Sequence, residues 1–450
     1  MPFEVVWYKA SNWTTWAGQS NVMLVAMTAP VPHDLQSVWE YPLFEALFGR
    51  RSRRFGRGFA MTEGPFHYSS PHPPLPLSEL EEALLVAAGF GCSGIALWEL
   101  SRPSPYLGRT GRTFPTTSGG LRTALFFTNE AGIHVIDPAV PSARKLREVE
   151  SADERERVLA LHREHRKLIK PGRLDIPRRV PPLSGHDWWD SNGPGSTLFM
   201  PVCDVSQSLI SLIAQFVDPQ LERFARGRRG VHIVDDRHGF RSAGCERWVK
   251  SGFLNGDDVF TLSQLERQAC YYMFSEPAAI CQNMFLATEA IGLGGWMHCG
   301  FLSREIFTEL GFTMVVPDGM PLLANPVGFA GIFEAYCPPF FPSMDAAVDA
   351  VLQAPAPSPG TESSAPTAFN MSEAEHRRST VSVSEEGIAC TKAVCNYIYE
   401  TYGRFPGSLD AMHMMWFFQA HHLDTDFYDR FFRPGAYGRT HAAHLATWHR

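Results

Sequence analysis

Four arginines surround one serine in the stretch Gly49-Arg50-Arg51-Ser52-Arg53-Arg54-Phe55. A guanidinium grips a phosphate through two parallel N–H donors, and a serine hydroxyl adds another. Arg50, Ser52 and Arg54 alternate, so they converge on one anion if the segment is extended or enters a turn. A solvated basic turn and a nucleic-acid patch are the competing readings. The whole chain weighs against the last of these. Its 450 residues hold 40 Lys and Arg against 47 Asp and Glu, a formal net charge of -7. A general nucleic-acid binder needs basic excess to neutralise backbone phosphates. A local cluster that meets a single phosphate escapes that objection.

A second set of candidate groups lies near the C-terminal end, in MHMMWFFQAHHLDTDFYDRFF. On a helix, His413 and His421 fall on one face. With Asp424 or Asp426 they form a conceivable metal site. Adjacent His421 and His422 point to different faces of a helix and do not share one ion. The plainer reading, capping and decoration of an aromatic helix, is preferred, and no metal ligand is assigned. The nine cysteines form no CxxC pair and are odd in number, which suits buried thiols in a reducing interior. No basic n-region precedes an apolar run at the start, and no run of about 18 apolar residues occurs. The expectation is a cytoplasmic protein acting on a small molecule, with no membrane and no nucleic acid as partner.

The elements that must position these groups follow from pattern. Ser78 is a candidate N-cap with Glu81 as capping-box partner, and Leu80, Leu84, Leu85 and Ala88 recur at helical spacing. ALFFT and IHVID, joined by NEAG, read as a β-hairpin. Residues 152–170 read as a surface helix, STLFMPVCD as a strand and SQSLISLIAQF as a helix or buried segment. EPAAICQNMFLATEAIGLGGW is the clearest buried helix, closed by Gly292 and Gly294. Residues 353–370 are rich in Pro, Ser, Ala and Thr and read as a flexible linker. Two helices are expected beyond it, KAVCNYIYETYG and LDAMHMMWFFQAHHL. The division expected is an arm at 1–45, a main domain at 46–352, a linker at 353–379 and a helical cap at 380–450.

The R-x-S-x-R segment, the later GRTFPTTSGGLRTALFF and the ICQNMFLATEAIGLGGW helix occur in the order seen in nitroreductase-like FMN proteins. The chain resembles that family, its azoline-oxidase-like branch most, over roughly 46–352. The resemblance implies an α+β fold: a central, mostly antiparallel sheet flanked by helices, here with a helical C-terminal extension. It implies FMN, held at its phosphate and ribityl chain by Arg50, Arg51, Ser52 and Arg54. Pro115, Thr117, Ser118 and Gly119 would lie along the ring, and Gln282, Asn283, Gly292 and Gly294 would come from the buried helix. It also implies a homodimer and hydride transfer through flavin N5. The first expectation is NAD(P)H-driven reduction of a small electron-poor molecule. A flavin-dependent dehydrogenase or oxidase, or a flavin-free scaffold subunit, is the alternative. No catalytic side chain is singled out. Two departures stand out: PTTSGG is shifted relative to the family pattern, and LLANPVGFAGIFEAYCPPFF lacks the late basic residue that completes the phosphate site.

Overall fold

The computed structural model describes residues 35–95, 99, 110–116, 122–136, 154–180, 182–221, 229–316, 324–353, 372–379 and 381–449. In chain order the elements that build the site are α1 (Leu43–Gly49), α2 (Glu79–Phe90), β1 (Thr123–Thr128), β2 (Gly132–Ile136), β3 (Arg166–Pro171) and β4 (Thr197–Asp204). After them come α3 (Val205–Val217), α4 (Leu262–Ile291), β5 (Gly294–His298) and α5 (Glu385–Tyr402). The last are β6 (Met412–His413), β7 (Phe417–His421), α6 (Thr425–Phe431) and α7 (Arg439–Trp448).

The seven strands make one sheet in the order β5-β7-β4-β1-β2-β3, with β6 paired to β4. Every pairing in it is antiparallel. Successive side chains of a strand face opposite ways, and here each face meets its own core. Phe126, Met200 and Phe417 join the core with α3 and α5. Phe127, Phe199 and Phe418 join the core with α2 and the C-terminal half of α4. The protein is therefore α+β, an antiparallel sheet covered by helices on both faces. Because both faces are covered, β1 and β4 are buried along their whole length.

Local signals explain the elements. Both halves of the capping box are formed at α2: the Ser78 side chain accepts from Glu81 N, and the Glu81 carboxylate accepts from Ser78 N. The hairpin β1–β2 pairs Leu125 with Ile136 and Thr128 with Ile133. Asn129 shapes its turn by accepting the N–H groups of Ala131 and Gly132. α4 starts earlier than the apolar pattern suggests, at a second capping box between Thr261 and Gln264. It carries Pro277 within its length and joins the two cores, with Leu265 in one and Met284 in the other.

Two expectations need correction. Residues 166–171 are the strand β3 and not the end of a surface helix. The second tail helix is replaced by β6 and β7. β7 lies inside the sheet, pairing Phe418 with Phe199 of β4 and His421 with Gly294 of β5. A short, continuously apolar run reads equally as a buried helix or as a strand with both faces covered, and the sheet decides. Linker residues 354–371 lie outside the described residues, as does the arm up to residue 34.

Candidate functional site

The arginine segment leaves α1 at Arg50, whose N–H closes on Ala46 O. It then runs along the sheet edge: Arg53 N donates to Gly295 O at 3.1 Å, and Arg57 N to His422 O at 3.0 Å. Alternation in this extended stretch turns Arg53 and Phe55 inward, and Arg50, Arg51 and Ser52 are exposed.

The two halves of the cluster have different environments. Arg53, absent from the expected set, is buried. Its Nη1 meets Glu289 Oε1 at 2.5 Å, Nε donates to Ala436 O, and Nη2 donates to Gly49 O. Arg54, expected at a phosphate, directs its fork at two carboxylates, with Nε to Asp190 Oδ2 and Nη2 to Asp187 Oδ1, both at 2.6 Å. The Arg54 guanidinium also lies 3.9 Å over the Trp296 ring and 5.3 Å from that of Trp189. Nε and Nη2 of Arg54 are thus taken up by two carboxylates beside two indole rings, which leaves Nη1 to donate elsewhere. Burial pushes the Asp190 carboxyl up to about 6 even though Arg54 pulls it down. Burial likewise holds the neighbouring His298 ring down at about 3, stacked on Trp296 at 3.9 Å.

Arg50 and Arg51 make no ion pair among the described residues. The Arg50 guanidinium lies 4.8 Å from the Phe285 ring of α4. Arg51 Nη1 donates to the carbonyls of Phe48 and Arg50. Asn283, also on α4, donates to Thr113 O at 2.8 Å, and Gln282 beside it is half-buried. Pro115 is exposed two residues beyond Thr113, whereas Thr117, Ser118 and Gly119 lie outside the described residues. The arginine segment and the approach to the 117–119 turn therefore meet α4 two residues apart.

Gly292 and Gly294 serve packing. Gly292 is the left-handed C-cap of α4, and a Cβ there would stand 2.4 Å from Thr440 O. Gly294 gives room to the His421 ring, 2.8 Å from where its Cβ would be. Gly292 thus packs against α7 and Gly294 against β7.

The histidine and acid set weighed from the sequence is dispersed. His413 sits on β6, His421 packs against Gly56 and Phe59, and Asp424 caps α6 through Phe427 N. His422, His444 and His449 do converge, around Glu81. Glu81 was legible only as a capping residue. The later histidines, three and eight residues into the run HAAHLATWHR, carry no motif that would pair them with it.

No family model matches the sequence, and no curated protein matches it. Among solved structures, the chain is similar to a Ralstonia eutropha JMP134 protein provisionally assigned as a nitroreductase. The identity is 15%, the match covers 64% of this chain and 82% of that one, and the TM-score is 0.27. A likeness at that level carries no inference about the site, which rests on its own residues. Among the described residues, no helix is long and apolar enough to cross a membrane.

Proposed function

We propose that the chain is an FMN-dependent oxidoreductase acting on a small organic substrate. One observation carries the reading: Arg50 and Thr113, from two of the three segments that resemble the flavoprotein family, contact the third, α4, within one turn of each other, at Phe285 and Asn283. The phosphate end fits the residues present, since Arg50, Arg51 and Ser52 are exposed and neither arginine is committed to a carboxylate. These three would hold the phosphate, and the side of α4 that carries Gln282 and Phe285 would support the ribityl chain. Bound flavin would supply hydride transfer, and the protein's share is to hold and orient it and to keep water off the reacting face. NAD(P)H is the proposed hydride source, with the dehydrogenase direction as the variant reading.

The commitment of Arg54 to Asp187 and Asp190 favours the flavin-free scaffold more than the sequence did. Absorbance of the purified protein separates the two. Flavin bands, or their appearance on adding FMN, support the proposal, and a colourless protein that takes up no FMN refutes it. Arg50→Ala combined with Arg51→Ala should release FMN, because each charge-assisted contact contributes about 1.5–3 kcal/mol. Flavin retained in that variant would move the phosphate site elsewhere. Bleaching by NADPH alone then distinguishes a reductase from a dehydrogenase.

A further inference from the structure

We propose that Glu81, His422, His444 and His449 form a four-ligand site for one first-row divalent ion, with Zn2+ the ion the donor set suits best. The capping box fixes the first ligand. Glu81 Oε2 accepts Ser78 N at 2.5 Å, which leaves Oε1 facing inward from the first turn of α2, fully buried. Three imidazole nitrogens surround that oxygen: Nε2 of His422 at 3.1 Å, of His444 at 2.8 Å and of His449 at 3.0 Å. Nε2 of His422 and Nε2 of His449 are themselves 3.0 Å apart. All four ligand atoms lie within 4.8 Å of one another. Bonds of about 2.0–2.1 Å to one central tetrahedral ion put neighbouring donors roughly 3.3–3.4 Å apart, so the four groups need move apart by only a few tenths of an ångström from the 2.8–3.1 Å found here.

The second shell sets the tautomers. His422 Nδ1 lies 2.8 Å from Leu75 O, and His444 Nδ1 lies 2.9 Å from Ile291 O. A carbonyl oxygen only accepts, so both Nδ1 atoms carry a proton and Nε2 of each ring is turned toward Glu81. Histidine ligands of metals are oriented in this way by a backbone carbonyl or a carboxylate. Without a cation, protons on the imidazoles would have to hold this mostly buried set around the carboxylate oxygen. His444 Nε2 approaches Oε1 at 2.8 Å. Three imidazoles and one carboxylate suit zinc and its neighbours better than Mg2+ or Ca2+, which prefer all-oxygen sets.

Four protein ligands with three of them buried make a closed site of the structural kind. The ion would join the start of α2 to the end of β7 and to α7, both more than 340 residues further along the chain. It is independent of the flavin reading, and either can be refuted while the other stands.

The test uses the full chain purified without metal-affinity chromatography. Elemental analysis should find about one first-row ion per chain. The protein stripped with a chelator should melt lower and recover on adding Zn2+, and Co2+ in its place should give the visible bands of tetrahedral cobalt. His449→Ala, at the most exposed ligand, should weaken Zn2+ binding by more than the roughly 10–100-fold typical of losing a second-shell partner, and His444→Ala should do the same. Asp426→Ala, which alters the nearby His72–Asp426 pair, should leave uptake unchanged. Should His444→Ala fail to fold, the wild-type cobalt spectrum and the His449→Ala titration decide. A protein that binds neither Zn2+ nor Co2+, with no recovery of melting temperature, overturns the proposal and leaves a cluster held by protons alone. Metal uptake untouched by both histidine variants also overturns it.

Discussion

Glu289→Ala removes the carboxylate that meets Arg53, and the structure sets what this should do. The two side chains are 4% and 3% exposed and 2.5 Å apart, so neither charge is screened by water. Burial pushes the Glu289 carboxyl up, and Arg53 opposes that shift. Arg53 keeps its bonds to Ala436 O and Gly49 O in the variant, but a buried cation is left without its counter-charge. Breaking such a pair costs about 3–5 kcal/mol, against a whole-protein stability of about 5–15 kcal/mol. The pair also ties the arginine segment to α4, while the bond from Thr440 Oγ1 of α7 to the Glu289 backbone carbonyl is kept in the variant. Local opening is therefore expected before global loss. Urea unfolding gives the total, and hydrogen exchange at the Arg53 amide, bonded to Gly295 O, gives the local part. The double variant Arg53→Met with Glu289→Leu fills similar volume without charge and should recover most of the loss. A single variant within about 0.5 kcal/mol of wild type, the range of neutral surface changes, would refute the argument that this pair is dry and mutually dependent. So would a double variant no better than the single.

Asp204 caps α3 by accepting from Gln207 N and Ser206 Oγ, while burial pushes its carboxyl up to about 7. The folded state then holds a proton that the unfolded chain has released, so stability should fall as pH rises from about 4 to about 7, by on the order of 4 kcal/mol at most. Asp204→Asn keeps the cap and should flatten that slope in melting temperatures taken across the range. An unchanged slope would assign it to other carboxyls such as Asp190. Gly292→Ala combines a backbone φ of +93° with a Cβ 2.4 Å from Thr440 O, so it should lower the melting temperature more than Gly172→Ala. At Gly172, φ is +83° and nothing lies within 4 Å, so only the backbone term of about 1 kcal/mol applies. Equal shifts would show that α7 yields freely at that contact.

The Ser78–Glu81 box, the β1–β2 hairpin, β4, α3 and the closure of α4 at Gly292 were all legible in the sequence. Each is decided by residues within a few positions of one another, through caps, turns and periodicity. β7 was not. Its apolar run fits helix and buried strand alike, and only the gap between β5 and β4 selects the strand. The same holds within the arginine cluster. Sequence marked the segment as a place for anions, but could not tell Arg50 and Arg51, open to solvent, from Arg53 and Arg54, taken up by Glu289, Asp187 and Asp190.

Spacing by itself determined a concentrated basic segment ahead of a capped helix, and the α+β class entered only as what the resemblance implied. Tertiary structure alone decided which of those charges remain available and which histidines meet. Glu81 and His449 are 368 residues apart, and no local pattern encodes such a pairing. The reason is physical: a charge or a ligand acquires its chemistry from what desolvates and neutralises it, and those neighbours arrive only when distant segments pack.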